Sequence, residues 1–138
     1  MEIRPYQASD EGSVVALWRG VFPAAPAWND PRLDIRRKLA VQPELFLVAV
    51  RDEALVGTVM AGFDGHRGWL YYLAVSPRAR REGVGRRLVE QAEQRLLAVS
   101  CVKVNLQVRA GSDEAERFWE RLGYGREARV SFGMRLPE

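Results

Sequence analysis

Residues 70–88 read LYYLAVSPRARREGVGRRL, and this stretch decides the fold. Its apolar part, residues 70–75, together with the preceding Trp69 has the length and composition of a buried strand, and Pro77 ends it. Two glycines and several arginines follow, and from Val84 onward apolar residues recur with the spacing of one helix face. The sequence therefore predicts a strand, a basic loop with two glycines, and a long amphipathic helix.

The start of that helix has the features of an anion site. The first N–H groups of a helix lack partners within it and the helix dipole adds positive potential, so a phosphate or pyrophosphate is a natural ligand. Gly83 and Gly85 lack a Cβ and allow close approach of the backbone, while the arginines add permanently charged donors. No Gly-Lys-Ser/Thr sequence is present, which excludes a P-loop, and Leu88 replaces the third glycine of a dinucleotide-binding fingerprint.

The rest of the chain supplies the other elements of an α/β fold. Helices are predicted to begin near Ser9, Asp30, Val84 and Ser112 from their caps and apolar spacing. Strands are predicted at residues 3–6, 45–50, 55–63, 69–75, 102–108 and 130–136. The order β-α-α-β-β-β-α-β-α-β predicts a mixed sheet with helices on its faces, in the α/β (α+β) class.

Length and composition favour one domain in the cytoplasm. With 138 residues the chain can build one hydrophobic core but not two, so we expect residues 1–138 to form a single domain. No apolar run has the length of a membrane span and the first residues lack a signal-peptide pattern, so we expect no membrane partner. Cys101 is the only cysteine, which excludes an internal disulfide and a cysteine-based metal cluster, and we expect no metal.

The net charge of +3 and the pI of about 9.4 raise the hypothesis of a nucleic-acid-binding module. Much of the basic charge is concentrated around the two glycines, in Arg78, Arg80, Arg81, Arg86 and Arg87. A cluster of this kind fits a small polyanion better than a nucleic-acid track, and no nucleic-acid-binding motif is recognisable. We therefore expect no nucleic-acid partner.

Two motifs in the chain resemble a known family. Arg80-x-x-Gly83-x-Gly85, after the predicted strand, resembles the acetyl-CoA signature of the GNAT N-acetyltransferases. Residues 115–124 (AERFWERLGY) resemble that family's second conserved block at the expected distance downstream, and the resemblance extends from the first strand to the last. Residues 28–31, 56–60 and 64–68 further resemble a bacterial subgroup, the YpeA-type acetyltransferases.

The resemblance implies a fold and a cosubstrate. The fold would be a GNAT-like mixed sheet of six to seven strands, splayed in the middle, with helices on both faces. Acetyl-CoA would be the cosubstrate, with its pantetheine arm along the strand, its pyrophosphate on the loop amides, and its thioester carbonyl near the Leu73 N–H. The residues implied for acetyl-CoA are Leu73, Ala74, Val75, Arg80, Arg81, Glu82, Gly83, Val84, Gly85, Arg86, Ser112 and Trp119.

The candidate catalytic residues are Tyr72, Tyr71 and Trp119. Trp119 stands where the family commonly has a tyrosine that protonates the leaving CoA thiolate, and an indole cannot act as a proton donor at neutral pH. Tyr71 and Tyr72 are the next candidates, with packing as the alternative for each. Strand alternation predicts that one of them faces the core and the other a cleft.

Four residues are candidates for binding the acceptor. Trp28 lies in a proline-rich loop, where it could line a pocket or cover the edge of the core. Asp30 and Asp64 could bind an ammonium group or serve as cap and turn residues. His66, the only histidine, could act as a base or remain an exposed turn side chain.

The favoured hypothesis is an N-acetyltransferase that transfers an acetyl group from acetyl-CoA to a primary amine by direct attack in a ternary complex. Its acceptor would be a small molecule or a peptide, and a homodimer is an expectation carried over from the family. The alternative is a catalytically weak acyl-CoA-binding sensor or regulatory domain, which Trp119 supports.

Overall fold

A computed structural model describes residues 1–137. The strands are β1 (Glu2–Pro5), β2 (Phe46–Arg51), β3 (Ala54–Phe63), β4 (Gly68–Val75) and β5 (Val104–Asn105). The α-helices are α1 (Glu11–Val21), α2 (Pro31–Leu39), α3 (Val84–Ala98) and α4 (Asp113–Arg121). Two compact units compose the chain, Met1–Leu106 and Gln107–Glu138. Within residues 1–137, no helix is both long enough and apolar enough to cross a membrane.

One five-stranded sheet lies in the first unit, with the strand order β1-β2-β3-β4-β5. The first three pairings are antiparallel. Strand β4 pairs with β5 in parallel at only two positions, Gly68 with Val104 and Trp69 with Asn105. The prediction of a mixed α/β sheet is confirmed, because antiparallel neighbours and one parallel crossover through a helix occur in the same sheet.

The strand count is five among the described residues, where six to seven were predicted. The strand expected at residues 102–108 is limited to Val104–Asn105, and residues 130–136, expected to be the last strand, form none. Alternating apolar residues form a strand only where a neighbour supplies a hydrogen-bond ladder and one face is covered. Phe132 in this segment is 94% exposed, so its side chain lacks that cover.

One hydrophobic core lies between the sheet and helices α1 and α2. Its buried members include Val14, Val15, Trp18, Ile35, Phe46, Val48, Met60 and Ala74. Trp18 of α1 is the largest of these side chains, and it is only 1% exposed. Burial of a side chain of this size is a major source of stability, so α1 is held firmly against the sheet.

Helix α3 covers the opposite face of the sheet. Gly57 of β3 lies directly beneath it, because a Cβ at this position would come within 2.9 Å of Leu88 Cδ1 and 3.0 Å of Val84 Cγ1. The neighbouring Thr58 contacts Trp18 on the α1 side, as expected from strand alternation. The missing side chain at Gly57 therefore lets the first turns of α3 pack close to the sheet, and this packing fixes the loop that precedes α3.

The second unit contains α4. Its first turn carries Asp113, Glu114 and Glu116, whose charge is favourable near a helix N-terminus. Gly123, with φ of 96°, follows the helix and ends it. Glu116 also forms an ion pair with Arg126 at 3.1 Å.

Candidate active site

Strand β4 carries a bulge opposite the middle of β3. The register on its two sides is given by two residue pairs, Thr58 with Ala74 and Met60 with Tyr71. Val59 alone therefore faces two residues, Tyr72 and Leu73. Tyr72 has φ of 52°, a left-handed conformation that is unfavourable for a residue with a Cβ. Because bulges and strained residues occur preferentially at functional sites, this position is a candidate site.

The bulge places Tyr71 and Tyr72 on the same face of the sheet. Tyr71 pairs directly with Met60, a member of the core under α1, and directly paired residues share a face. The Tyr72 ring stacks on Trp18 of α1, with ring centroids 3.8 Å apart. The alternation expected for these two tyrosines is therefore wrong, because the extra residue of a bulge interrupts the two-residue repeat. Tyr72 is partly buried, whereas Tyr71 is 49% exposed.

A buried chain of hydrogen bonds holds the strained residue. Trp18 Nε1 donates to Thr58 Oγ1 at 2.9 Å, and Thr58 Oγ1 donates to the carbonyl oxygen of Tyr72 at 2.8 Å. Thr58 is fully buried and its bond from Trp18 is shielded from water, while its bond to the Tyr72 carbonyl is partly buried. No sequence pattern points to this role of Thr58, because its two hydrogen bonds join three distant segments of the chain.

Beyond the bulge, alternate backbone groups of β4 point away from β3. The N–H of Ser76 donates to the carbonyl oxygen of Val56 of β3 at 2.8 Å. In an antiparallel ladder only every second residue exchanges hydrogen bonds with the neighbouring strand, so Ala74 also faces β3. The backbone groups of Leu73 and Val75 consequently face the other edge of β4. Strand β5 pairs only with residues 68–69, so no strand within residues 1–137 bonds to that edge at Leu73 or Val75. This edge can accept an extended ligand.

The loop between β4 and α3 presents a helix N-terminus without a side-chain cap. A 3₁₀ turn at Pro77–Ala79 follows β4, and Gly83 precedes α3 with φ of 80°. The N–H of Arg87 donates to the carbonyl oxygen of Gly83 at 3.0 Å, which is the first bond of the helix. The amides of residues 84–86 precede that bond, and the α3 N-cap makes no side-chain hydrogen bond. Their N–H groups and the helix dipole suit a phosphate.

Arginines surround this helix start. Arg78, Arg80, Arg81, Arg86 and Arg87 are all exposed. Arg80 Nε lies 3.4 Å from the carbonyl oxygen of Val75, so its guanidinium sits beside the free edge of β4. The carboxylate of Glu82, the acidic residue of the loop, forms an ion pair with Arg51 of β2. The loop therefore keeps a positive potential, as a polyphosphate site requires.

A carboxylate that the sequence analysis missed lies at the hydroxyl of Tyr72. This hydroxyl donates to Asp34 Oδ2 of α2 at 2.6 Å. Burial raises the pKa of the Tyr72 phenol well above its usual range, and the hydrogen bond to Asp34 raises it further. Because the Tyr72 hydroxyl already donates its proton to Asp34, this geometry suits an orienting role better than proton transfer to a leaving group. Asp34 carries no recognisable motif, and only the packing of α2 brings it to β4.

Two of the predicted acceptor residues bind their own backbone. Asp30 Oδ1 accepts from the N–H of Arg32 at 3.0 Å and caps α2. Asp64 Oδ1 accepts from the N–H groups of Arg67 and His66 at 2.7 Å each, and these bonds lower the pKa of the Asp64 carboxyl. Both carboxylates therefore have the local roles that were the alternatives to acceptor binding.

The other predicted acceptor residues, Trp28 and His66, are exposed. Trp28 is 54% exposed, in the segment between α1 and α2. Tyr71 is the fourth residue of β4 and so lies near the β3–β4 turn. Burial raises the pKa of Tyr71, and the charge of Asp64 raises it further. Of the four predicted acceptor residues, Asp64 is thus the one that the structure connects to a predicted catalytic tyrosine.

Ser112 and Trp119 belong to the second unit. Ser112 precedes α4, and its carbonyl oxygen accepts from the N–H of Glu116 at 3.0 Å. Trp119 is partly buried and lies edge-on to Phe118 and to Tyr124, each with ring centroids 5.2 Å away. The indole is therefore part of an aromatic cluster on and after α4.

The order of elements, the β4 bulge and the basic helix start define a mixed α/β fold with a candidate phosphate site beside an unpaired strand edge. Residues 10–124 match the profile of the Acetyltransferase (GNAT) family. An acetyltransferase of Yersinia enterocolitica is 45% identical over 136 residues, which cover 99% of this chain and 96% of that protein. The chain belongs to the GNAT acetyltransferase family. Its place in the YpeA-type subgroup stays a prediction.

Solved structures share this fold. The aminoglycoside 6'-N-acetyltransferase AAC(6')-IG from Acinetobacter haemolyticus superposes with a TM-score of 0.81 and 19% identity, with full coverage of both chains. AAC(6')-Iy, solved in complex with the bisubstrate analogue CoA-S-monomethyl-acetylneamine, has a TM-score of 0.82 and 16% identity, and the match covers 99% of this chain and 98% of that one. These likenesses show the GNAT fold.

Proposed function

We propose that this GNAT acetyltransferase transfers the acetyl group of acetyl-CoA to a primary amine by direct attack in a ternary complex. The observation that carries the proposal is the bulge at Tyr72 and Leu73 in β4, beside an edge that no described strand covers. The fold relative AAC(6')-Iy binds an analogue in which CoA is joined to an acceptor, which supports the same arrangement of two substrates.

The donor would occupy the α3 side of this site. Its pyrophosphate would bind the amides of residues 81–86, with Arg80 as a charged donor beside them. Its pantetheine arm would lie along Leu73, Ala74 and Val75 as an added strand does. The N–H of Leu73, turned away from β3, would then polarise the thioester carbonyl.

The acceptor would approach from the face that carries α1 and α2. The neutral amine nitrogen attacks the thioester carbon and the C–S bond breaks. The nitrogen then loses a proton to give the amide, while the leaving CoA thiolate takes one up. Cys101 is only 4% exposed and lies outside the bulge, so an acyl-cysteine intermediate is not part of this scheme. Tyr71, the more exposed tyrosine, is the candidate proton donor in the first unit, and Trp119 and Ser112 are the candidate CoA contacts in the second.

Steady-state kinetics with a panel of primary amines test the proposal. Free CoA should appear only when protein, acetyl-CoA and amine are all present, and mass spectrometry should find the acetylated amine. Initial rates measured against both substrates should give intersecting double-reciprocal lines, the pattern of a ternary complex. Parallel lines would indicate a covalent acetyl-enzyme and would contradict direct attack.

A catalytically weak acyl-CoA sensor is the second candidate, because Trp119 occupies the place where the family commonly has the proton donor. It would bind acetyl-CoA and release no CoA with any amine of the panel. Calorimetric binding of acetyl-CoA together with absent turnover would favour this function over the enzyme.

A further inference from the structure

Asp34 is the one acidic residue of α2, and its carboxylate is turned toward β4. Oδ2 accepts from the Tyr72 hydroxyl, while 22% of the side chain remains accessible to solvent. Arg37 approaches Oδ1 only to 3.9 Å and is itself 63% exposed. Because the tyrosine is neutral and an exposed ion pair at that distance is weak, the carboxylate retains a charge that can bind a cation.

Tyr72 connects this carboxylate to the bulge. Its backbone forms the bulge next to Leu73, and its ring extends over Trp18 on the face of α1 and α2. The α3 helix lies on the other face. A cation at Asp34 would therefore lie on the acceptor side, separated from the Leu73 amide by the length of a tyrosine side chain.

We propose that Asp34 binds a second cationic group of the acceptor while the reacting amine reaches the thioester at the bulge. The inference rests on the proposed amine acetylation and names its substrate class, a primary amine that carries another positive charge several bonds away. A carboxylate against the reacting nitrogen would stabilise its protonated form, which cannot attack. A carboxylate held at the end of Tyr72 stabilises only the remote charge.

The residues around Asp34 keep its carboxylate in position. Tyr72 donates the orienting hydrogen bond, and the bonds from Trp18 through Thr58 fix the Tyr72 backbone. Tyr72 is in this sense a positioning residue. A salt bridge to a ligand contributes more to affinity when the carboxylate is already oriented, because less conformational entropy is lost on binding.

A pair of matched amines tests this inference. With saturating acetyl-CoA, kcat/KM should be at least roughly tenfold higher for a linear diaminoalkane than for the monoamine of the same length. One charge-assisted hydrogen bond accounts for a difference of about this size. In Asp34→Asn the side-chain oxygen can still accept from the Tyr72 hydroxyl, but the charge is lost. The KM for the diamine should therefore rise until the preference over the monoamine disappears. The KM for acetyl-CoA should not change. Tyr72→Phe should reduce the preference only in part, because the charge remains.

The control is Asp52→Asn, which removes an exposed carboxylate from the β2–β3 turn and changes the net charge by the same amount. It should keep the preference, and equal losses in both variants would overturn the role of Asp34. A parent protein that acetylates both amines equally would overturn this inference and leave the acetyl transfer intact. If neither amine is acetylated, calorimetry of the diamine with the CoA-loaded protein decides: binding that Asp34→Asn abolishes supports the site, and absent binding overturns it.

Discussion

Tyr72 adopts a backbone conformation that costs about 1–3 kcal/mol for a residue with a side chain. Such strain persists only where surrounding contacts enforce it. Three contacts enforce it here. The Thr58 hydroxyl donates to the Tyr72 carbonyl, the Tyr72 ring stacks on Trp18 with ring centroids 3.8 Å apart, and the Tyr72 hydroxyl donates to Asp34. Three separate parts of the chain thus fix one residue, and that residue orients both the donor edge and the acceptor face of the proposed site.

Replacing Thr58 by valine should release this strain. The change keeps the shape of the side chain but removes the hydroxyl, so the Trp18 N–H loses its acceptor and the Tyr72 carbonyl loses its donor in a buried position. We expect the free energy of unfolding in urea to fall by about 1–3 kcal/mol. We also expect kcat/KM to fall, because the bulge loses its fixed geometry.

Thr58→Ser is the matched control because it keeps the hydroxyl. It should retain most of the activity, apart from the loss due to one missing methyl group. Equal losses of activity in the valine and serine variants would mean that packing at Thr58, and not its hydrogen bonds, supports the site.

At the level of elements, the sequence predicted the strand, the basic loop and α3, because these follow from local apolar spacing and local glycine chemistry. It did not predict the β4 bulge, since the continuous apolar run LYYLAV contains no sign of an inserted residue. It overestimated the strands at 102–108 and 130–136, because pairing depends on a neighbour and not on propensity alone. The role of Asp34 was not predicted either, because its hydrogen-bond partner Tyr72 lies 38 positions away in the sequence.

Gly83 joins the basic loop to α3 in a conformation that only glycine adopts easily. Gly83→Val should weaken acetyl-CoA binding at least about tenfold in calorimetry, because the strained backbone moves the amides that would hold the pyrophosphate. No atom lies within 4 Å of the added Cβ, so the protein should still fold. Gly65→Val is the control, since Gly65 also has positive φ and open space but lies in the β3–β4 turn. Unchanged acetyl-CoA affinity in Gly83→Val would contradict the proposed phosphate site.

Asp10 links β1 to α1 and gives the fold a dependence on pH. Arg4 donates to both carboxylate oxygens, at 2.8 and 3.0 Å, and this hydrogen bonding lowers the pKa of the buried Asp10 carboxyl. Folding thus favours the ionised form, so its contribution is present above the unfolded pKa of about 3.9 and is lost as pH falls through the lower folded pKa.

The variant Asp10→Asn tests this link. It should lower the free energy of unfolding by about 2 kcal/mol at pH 7, because a hydrogen-bonded charge is lost. The difference from the parent should shrink as the pH is lowered through about 4 toward 2, where the parent carboxylate is also protonated. Denaturant unfolding at a series of pH values measures both quantities. A difference that stays constant over this range would contradict the assignment to ionised Asp10.

At the scale of the whole molecule, the candidate residues are divided between the two compact units. The bulge, the basic loop and Asp34 belong to Met1–Leu106, whereas Ser112 and Trp119 belong to Gln107–Glu138. The family profile spans residues 10–124 and so includes parts of both. The single domain predicted from chain length stays a prediction. The role of the second unit can be tested at Trp119, which stands where the family commonly has a tyrosine.

Trp119 limits the rate if the leaving thiolate needs a proton from this position. A positioned acid contributes about 10²–10⁴-fold, whereas a thiol with a pKa of roughly 8–9 can also leave as the free thiolate, so the enzyme should be slow but active. Trp119→Tyr restores a phenol and should raise kcat near pH 7, with the gain lost at alkaline pH as the phenol ionises. Trp119→Phe is the matched variant, because it provides a ring without a hydroxyl. Equal kcat values for the tyrosine and phenylalanine variants across the pH range would show that the hydroxyl contributes nothing, and that solvent protonates the thiolate.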